Sequence, residues 1–184
     1  MLHDRNEGGL RKLVRSALAE DHDRVDAQFA ELDIQSRTGL TIFLQAHRAA
    51  FDAIAVSGTS FEGRVKDTHL FDIIKALDTD LKALRVPVLR LNMPAHSYDP
   101  LAVDHIVLGS RLGTAVLRSK WLMSMDRQVR QARSYFAQPQ MTEEWRAHCM
   151  HLSSLDATDE TGKNLIKDAR RLFVLIESAL DVCR

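Results

Sequence analysis

His22 is the residue in this chain best placed to do chemistry. It lies in the run Leu18-Ala19-Glu20-Asp21-His22-Asp23-Arg24-Val25, with Leu18 one helical turn before it and Val25 one turn after. The spacing puts an imidazole on an apolar stripe and predicts that it points into a buried interior. A neutral imidazole in such a place either finds a hydrogen-bond partner or binds a metal. Arg15, seven residues earlier, falls near the same line and offers a cation to an anionic group. A second segment, His105-Ile106-Val107-Leu108-Gly109-Ser110-Arg111-Leu112-Gly113-Thr114, sets two glycines four residues apart in an otherwise apolar helical pattern. Each glycine costs roughly 1 kcal/mol against alanine inside a helix, so the pair needs a reason. Bare backbone suits the close approach of a flat ligand or of another helix.

Other constellations are weaker. His148 and His151 stand three residues apart around Cys149. That spacing could hold a metal, but a partly exposed helix face is the simpler account. His47, in Leu44-Gln45-Ala46-His47-Arg48, loosely resembles a phosphotransfer histidine with Arg48 as its one basic neighbour. The chain has no Glu-x-x-His pair for carboxylate-bridged di-iron chemistry, no nucleophile elbow and no dinucleotide fingerprint. A redox cofactor of the nucleotide type is therefore not expected in this chain.

The elements that must position these residues read as helices throughout. Leu10, Leu13, Val14, Ala17, Leu18, Val25 and Phe29 trace one stripe and predict a first helix over about 10–32. Ser36 or Thr38 caps a second helix carrying Leu40, Phe43, Leu44, His47, Phe51 and Ile54. Gly58 and Gly63 mark a loop, Asp67 opens a third helix, and Val86 to Pro94 form a connector with room for a short extended piece. Asp99-Pro100 starts a long helix to about Met123, an acceptor at the cap followed by proline in the first turn. Ser134 to Pro139 break the pattern. Thr142-Glu143-Glu144 begins another helix, and Thr158-Asp159-Glu160 the last, which should bury Leu165, Ile166, Ala169, Leu172, Phe173, Ile176 and Leu180.

Length and composition fit one core. A chain of 184 residues buries enough surface to fold without staples. Twenty-five basic residues balance 25 acidic ones without a basic block, which removes the electrostatic case for nucleic acid. Cys149 and Cys183 are too few for a disulfide framework, and reduced thiols are the simpler reading. Residues 1–7 have no apolar signal core and no stretch is long enough to span a bilayer, so the expected location is the cytoplasm, with no membrane partner.

Taken together, the His22 segment and the Gly-Ser-Arg-Leu-Gly run resemble the proximal and distal helices of haem oxygenases. The resemblance covers about Leu10 to Val182 and is closest to the bacterial biliverdin-forming, bacteriophytochrome-associated type. It implies an all-α, single-domain haem oxygenase-like bundle over 1–184, with 1–9 as a flexible N-terminal arm. It also implies the oxygen- and electron-dependent cleavage of haem to biliverdin, carbon monoxide and ferrous iron. Haem would be both cofactor and substrate, with electrons from a separate ferredoxin or flavin reductase. A phytochrome accepting biliverdin, or iron release from scavenged haem, would be the downstream role. His22 matches the axial ligand of the haem iron. Gly109 and Gly113 match the distal backbone wall, and Ser110 and Thr114 would offer hydroxyls to a water network. Arg15 and Lys120 match positions that meet the haem propionates.

Three positions depart from the family pattern. Thr114 stands where a second glycine is common, Leu18 where a threonine is common, and His105 where a tyrosine is frequent. If His105 turns inward it could bond a propionate or act as a competing iron ligand. These departures keep open a second reading, a haem- or tetrapyrrole-binding sensor or carrier with the same fold. A helical phosphorelay module built on His47 is the third.

Overall fold

The computed structural model describes residues 9–57, 65, 67–92, 96–157 and 160–184. Among them are nine helices and no strand: α1 (Gly9–Ala17), α2 (Ala19–Ala30), α3 (Arg37–Ala55), α4 (Asp67–Ala83), α5 (Pro100–Leu122), α6 (Arg127–Gln131), α7 (Ser134–Ala137), α8 (Thr142–Ser154) and α9 (Glu160–Cys183). The all-α expectation holds. The expected N-terminal arm (apart from Gly9), the loop marked by Gly58 and Gly63, Pro94 of the connector, and Thr158-Asp159 ahead of the last helix lie outside the described residues. The described part of the connector, 86–92, forms no strand, and Gln45 Nε2 donates to the Pro87 carbonyl at 2.8 Å to hold it.

Helix ends follow local chemistry. Ser36 caps α3 by accepting from the Gly39 N–H at 3.1 Å, and Asp99 caps α5 by accepting from the Leu101 N–H at 2.8 Å. Gly39 is obligatory for a steric reason, since an added Cβ would overlap the Asp33 carbonyl of the preceding turn. The predicted first helix is in fact two. It breaks at Leu18 (φ −104°, ψ 1°), and Arg170 on α9 donates to the freed Ala17 carbonyl at 2.9 Å. The apolar period runs unbroken through Leu18, so the stripe alone conceals the break.

α9 is the spine of the molecule. It packs against α3, α5, α2 and α1 and buries Leu165, Ala169, Leu172, Phe173, Leu175, Ala179 and Leu180. Ile166 and Ile176 pack at the margin of this core. Ala46, Ala49 and Ala50 of α3 meet Ala179 of α9, small side chains that let the two backbones come close. Each fully buried leucine contributes roughly 1.5–3 kcal/mol, so this spine supplies much of the stabilising burial. α2 is fixed differently. Arg24 pairs with Glu177, Gln28 donates to the same carboxylate at 3.3 Å, and Arg170 reaches Asp21 at 3.3 Å. Polar clamps hold α2 on α9 and leave one of its faces uncovered.

Arg111, the central residue of Gly-Ser-Arg-Leu-Gly, is fully buried. Its guanidinium donates to the carbonyls of Tyr135 (3.4 Å), Gln138 (3.1 Å) and Pro139 (3.3 Å) and lies 4.6 Å over the Tyr135 ring. It therefore ties α5 to the end of α7 by donating to three carbonyls, of which that of Tyr135 also accepts from the Gln138 N–H. Arg111→Met is expected to lower stability by about 2–4 kcal/mol, and Arg111→Lys to recover only part, because an ammonium lacks the planar fork. Urea unfolding of the two variants checks this.

Candidate functional site

α2, the helix of His22, and α5, the helix of the glycines, both pack on α9 but scarcely meet each other. On α2, His22 departs from the expectation of burial. Leu18 and Val25 are buried at 2% and 7% exposure, whereas the His22 side chain is 61% exposed. Its ring stands edge-on to Phe173 of α9 at 6.3 Å between centroids. Its Nδ1 lies 3.4 Å from the Asp26 carboxylate and 3.8 Å from Asp23. A carboxylate beside Nδ1 favours the proton there and leaves Nε2 as the free lone pair, the arrangement common to metal-binding imidazoles.

On α5 the glycines differ from each other. A Cβ added at Gly113 would meet nothing within 4 Å, whereas one at Gly109 would touch the Trp145 ring at 3.7 Å. The bare wall expected from both glycines is thus open at Gly113 and roofed by Trp145 at Gly109. Val116 and Lys120 continue the Gly113 line and are exposed. Ser110 donates to the Val107 carbonyl at 2.8 Å and Thr114 to the Ser110 carbonyl at 3.1 Å. Both hydroxyl protons are spent inside the helix. Thr114 is buried, and its Oγ1 lies 3.4 Å from Arg111. Arg15 and Lys120 stand on the surface, and no contact joins either to His22.

His105 is half-buried on α5 and carries the most elaborate surroundings. Its Nδ1 lies 3.3 Å from Nε2 of His148, which is fully buried on α8, and His148 Nδ1 lies 3.9 Å from the Asp104 carboxylate. Asp104 in turn accepts from the Val65 N–H at 2.8 Å. Trp145 lies against both rings, 5.3 Å from His105 and 5.8 Å from His148 between centroids. Burial first, and then the charge of His22, push His105 down to about 4, so it is neutral at pH 7.

His148 was read from sequence as part of an exposed face with His151. The structure buries His148 and exposes His151, and the described residues contain no group of three or more potential metal-ligating side chains. Sequence reasoning missed His148 and Asp104 as partners of His105, and Asp26 as the partner of His22. Only Asp26 left a signal, four residues after His22.

His47 cannot serve a phosphorelay, which needs an exposed imidazole. Its ring is enclosed by Phe29, Phe43, Phe51 and Tyr135, all within 6 Å, and its Nδ1 donates to the Phe43 carbonyl at 2.9 Å.

No family model matches the sequence, and no curated relative matches it. A solved structure of the same fold is the NO- and CO-bound haem oxygenase from Neisseria meningitidis. It is 20% identical, with a TM-score of 0.73 over 95% of this chain and 92% of that one. The chain thus has the all-α haem oxygenase fold, as the motif resemblance implied.

Burial holds His47 down to about 4 against 6.5 in the unfolded chain. The unfolded state takes up this proton first, so stability is full above pH 6.5 and declines as pH falls toward 4. The expected loss is on the order of 3 kcal/mol. A series of denaturant midpoints from pH 7 to 4 on the wild type and His47→Gln checks it: the slope should flatten in the variant.

Proposed function

We propose that the chain binds haem in the gap between α2 and α5, with His22 as axial ligand. We further propose that it cleaves haem oxidatively to biliverdin, carbon monoxide and ferrous iron. The observations that carry the reading are the exposed imidazole of His22, with its Nδ1 beside Asp26, and the open position at Gly113 on α5. A flat macrocycle fits such a pair of walls, and an apolar face left open on a helix calls for an apolar cover. When bound, haem supplies the iron that reduces dioxygen and the porphyrin carbon that is oxidised. The chain's own residues do the rest. Asp26 orients the His22 ring, and Phe173 limits its swing. Gly113 admits a ligand close to backbone, and Trp145 narrows one end of the gap. Ser110, whose proton is committed to a helix carbonyl, presents only oxygen lone pairs to water, and Thr114 is buried with its oxygen accepting from Arg111.

The external electrons come from a ferredoxin or flavin reductase, and Arg15 and Lys120 meet the propionates at the rim. The subtype proposed is the bacteriophytochrome-associated one, acting as a single domain in the cytoplasm. No helix among the described residues is long and apolar enough to cross a membrane. The neighbour in Neisseria, bound there to NO and CO, supports the placement of a haem site in this fold.

The test is titration with haemin, then addition of reductant in air. A Soret band that decays as biliverdin absorbance grows supports the enzyme, and a band that persists supports a carrier. His22→Ala is expected to abolish turnover while leaving apolar haem association, with free imidazole restoring part of the activity. Native turnover in that variant would remove His22 as ligand. Gly113→Leu, which fills the open face by bulk alone, should lower haem affinity at least tenfold, or about 1.4 kcal/mol. Unchanged affinity would place haem elsewhere.

A further inference from the structure

The chain carries no net charge, yet its charges are unevenly placed. Four helix ends are knitted together at one end of the bundle. Trp121 Nε1 donates to the Val129 carbonyl at 2.9 Å, which seats α6 on the end of α5, and Ser124 Oγ donates to the Gln35 carbonyl at 2.6 Å ahead of α3. The Ser134 and Tyr135 N–H groups donate to Asp80 of α4 at 2.8 Å, and Arg37 donates to the Leu84 carbonyl at 2.7 Å. Lys82, Arg85, Arg118, Arg127, Arg130 and Arg133 are exposed at this end, and none of them pairs with a carboxylate among the described residues. The nearby acids are turned to backbone instead, Asp80 to the start of α7 and Asp126 to the Gln128 and Val129 N–H groups. Elsewhere arginines are neutralised, as in Arg24–Glu177, Arg48–Asp78 and Arg171–Asp168. Between Arg118 and Arg127 stand Leu122, Met123 and Met125, which are 47%, 60% and 95% exposed. Their loop is held firmly: Ser124, between the two methionines, is buried, and its Oγ also accepts from the Asp126 N–H at 3.2 Å. A fixed loop that displays apolar side chains among unpaired arginines has the make-up of a protein interface, where methionine and arginine are enriched.

Resting on the haem-binding reading, we propose that this basic end docks the protein that delivers electrons, and that the donor presents an acidic face to it. Lys120 stands seven residues past Gly113, about 10 Å along α5, so a donor seated here lies beside the face proposed for haem. Glu20, Asp21, Asp23 and Asp26 gather on α2 and repel an acidic partner, which steers it to the opposite charge. A bilayer fits less well, because Val129, the apolar residue of α6, is buried and that helix offers no apolar face to lipid. Nucleic acid fits less well too. Trp121 and Phe136 are buried and stacked on one another at 5.2 Å, so neither ring is offered to a base.

The full chain, with and without haemin, is titrated calorimetrically with an acidic two-iron ferredoxin at low and at high salt. Binding is expected in both forms and should weaken as salt rises. Arg127→Glu combined with Arg130→Glu should weaken it roughly tenfold or more, and Arg127→Lys with Arg130→Lys should keep most of it. Met125→Glu, at the most exposed of these positions, should weaken binding with little bearing on folding. Haemin binding and ascorbate-driven turnover should be equal in all variants, while ferredoxin-driven turnover falls with affinity. The docking assignment is overturned by absent ferredoxin binding, by affinity that charge reversal leaves unchanged, or by self-association that charge reversal abolishes. Tighter binding to phosphatidylserine vesicles or to a single-stranded oligonucleotide than to ferredoxin overturns it as well. Ferredoxin binding without a Soret band on addition of haemin removes the haem reading and the donor role, and leaves the surface for an acidic protein standing.

Discussion

Two helices that scarcely touch each other have to be positioned by something else. In this chain that constraint falls on α9. It packs on α5, and it holds α2 both by apolar contact, with Val25 in the core and the His22 ring edge-on to Phe173, and through Arg24–Glu177, Gln28–Glu177 and Arg170–Asp21. Burial is non-directional and favours contact, whereas ion pairs of fixed length set where along α9 the helix sits. The break at Leu18 belongs to the same arrangement. Arg170 satisfies the carbonyl that the break releases, so α2 departs from the line of α1 without leaving an unpaired group there.

Which parts of this were legible in the residue string follows from the range of the forces involved. Capping is local, and Asp99-Pro100 announced α5 to the residue, while Ser36, one of the two candidates with Thr38, proves to cap α3. The buried face of α9 is periodic and was legible too. The break at Leu18 was not, since a helix interrupted by one residue keeps nearly the same apolar stripe on both sides. The exposure of His22 was illegible for a related reason. Periodicity tells which face is apolar, but only the tertiary arrangement tells whether anything covers it. His148 shows the converse error. Its spacing from His151 around Cys149 suggested a partly exposed face, while it is buried against His105 and Asp104, more than forty residues away in the chain.

The two glycines show how one motif divides its work. Gly113 faces open space, so its lack of a side chain matters for what enters the gap. Gly109 lies under Trp145 at ordinary contact distance, where a methyl group would nearly fit. Arg111 between them serves neither purpose and anchors α7 from the opposite face of the helix. The run Gly-Ser-Arg-Leu-Gly therefore combines a wall and an anchor on one helix. Wall and anchor share rigidity: a helix tied to three carbonyls on one side keeps its bare side in place.

Haem chemistry and haem storage ask opposite things of such a wall. Oxygen chemistry needs one face of the iron open, whereas storage or sensing is better served when both faces carry protein ligands. Gly113 suits the first, because a Cβ there would meet nothing within 4 Å. The Asp104–His148–His105 series serves α5 differently: Asp104 accepts from the Val65 N–H, His105 meets the buried His148 of α8, and Trp145 lies against both rings. A buried carboxylate is costly unless its polar neighbours offset its lost hydration, and these contacts join α5 to α8. The helix is thus tied to α8 through His105 and to α7 through Arg111, and its bare position at Gly113 is held in place by both.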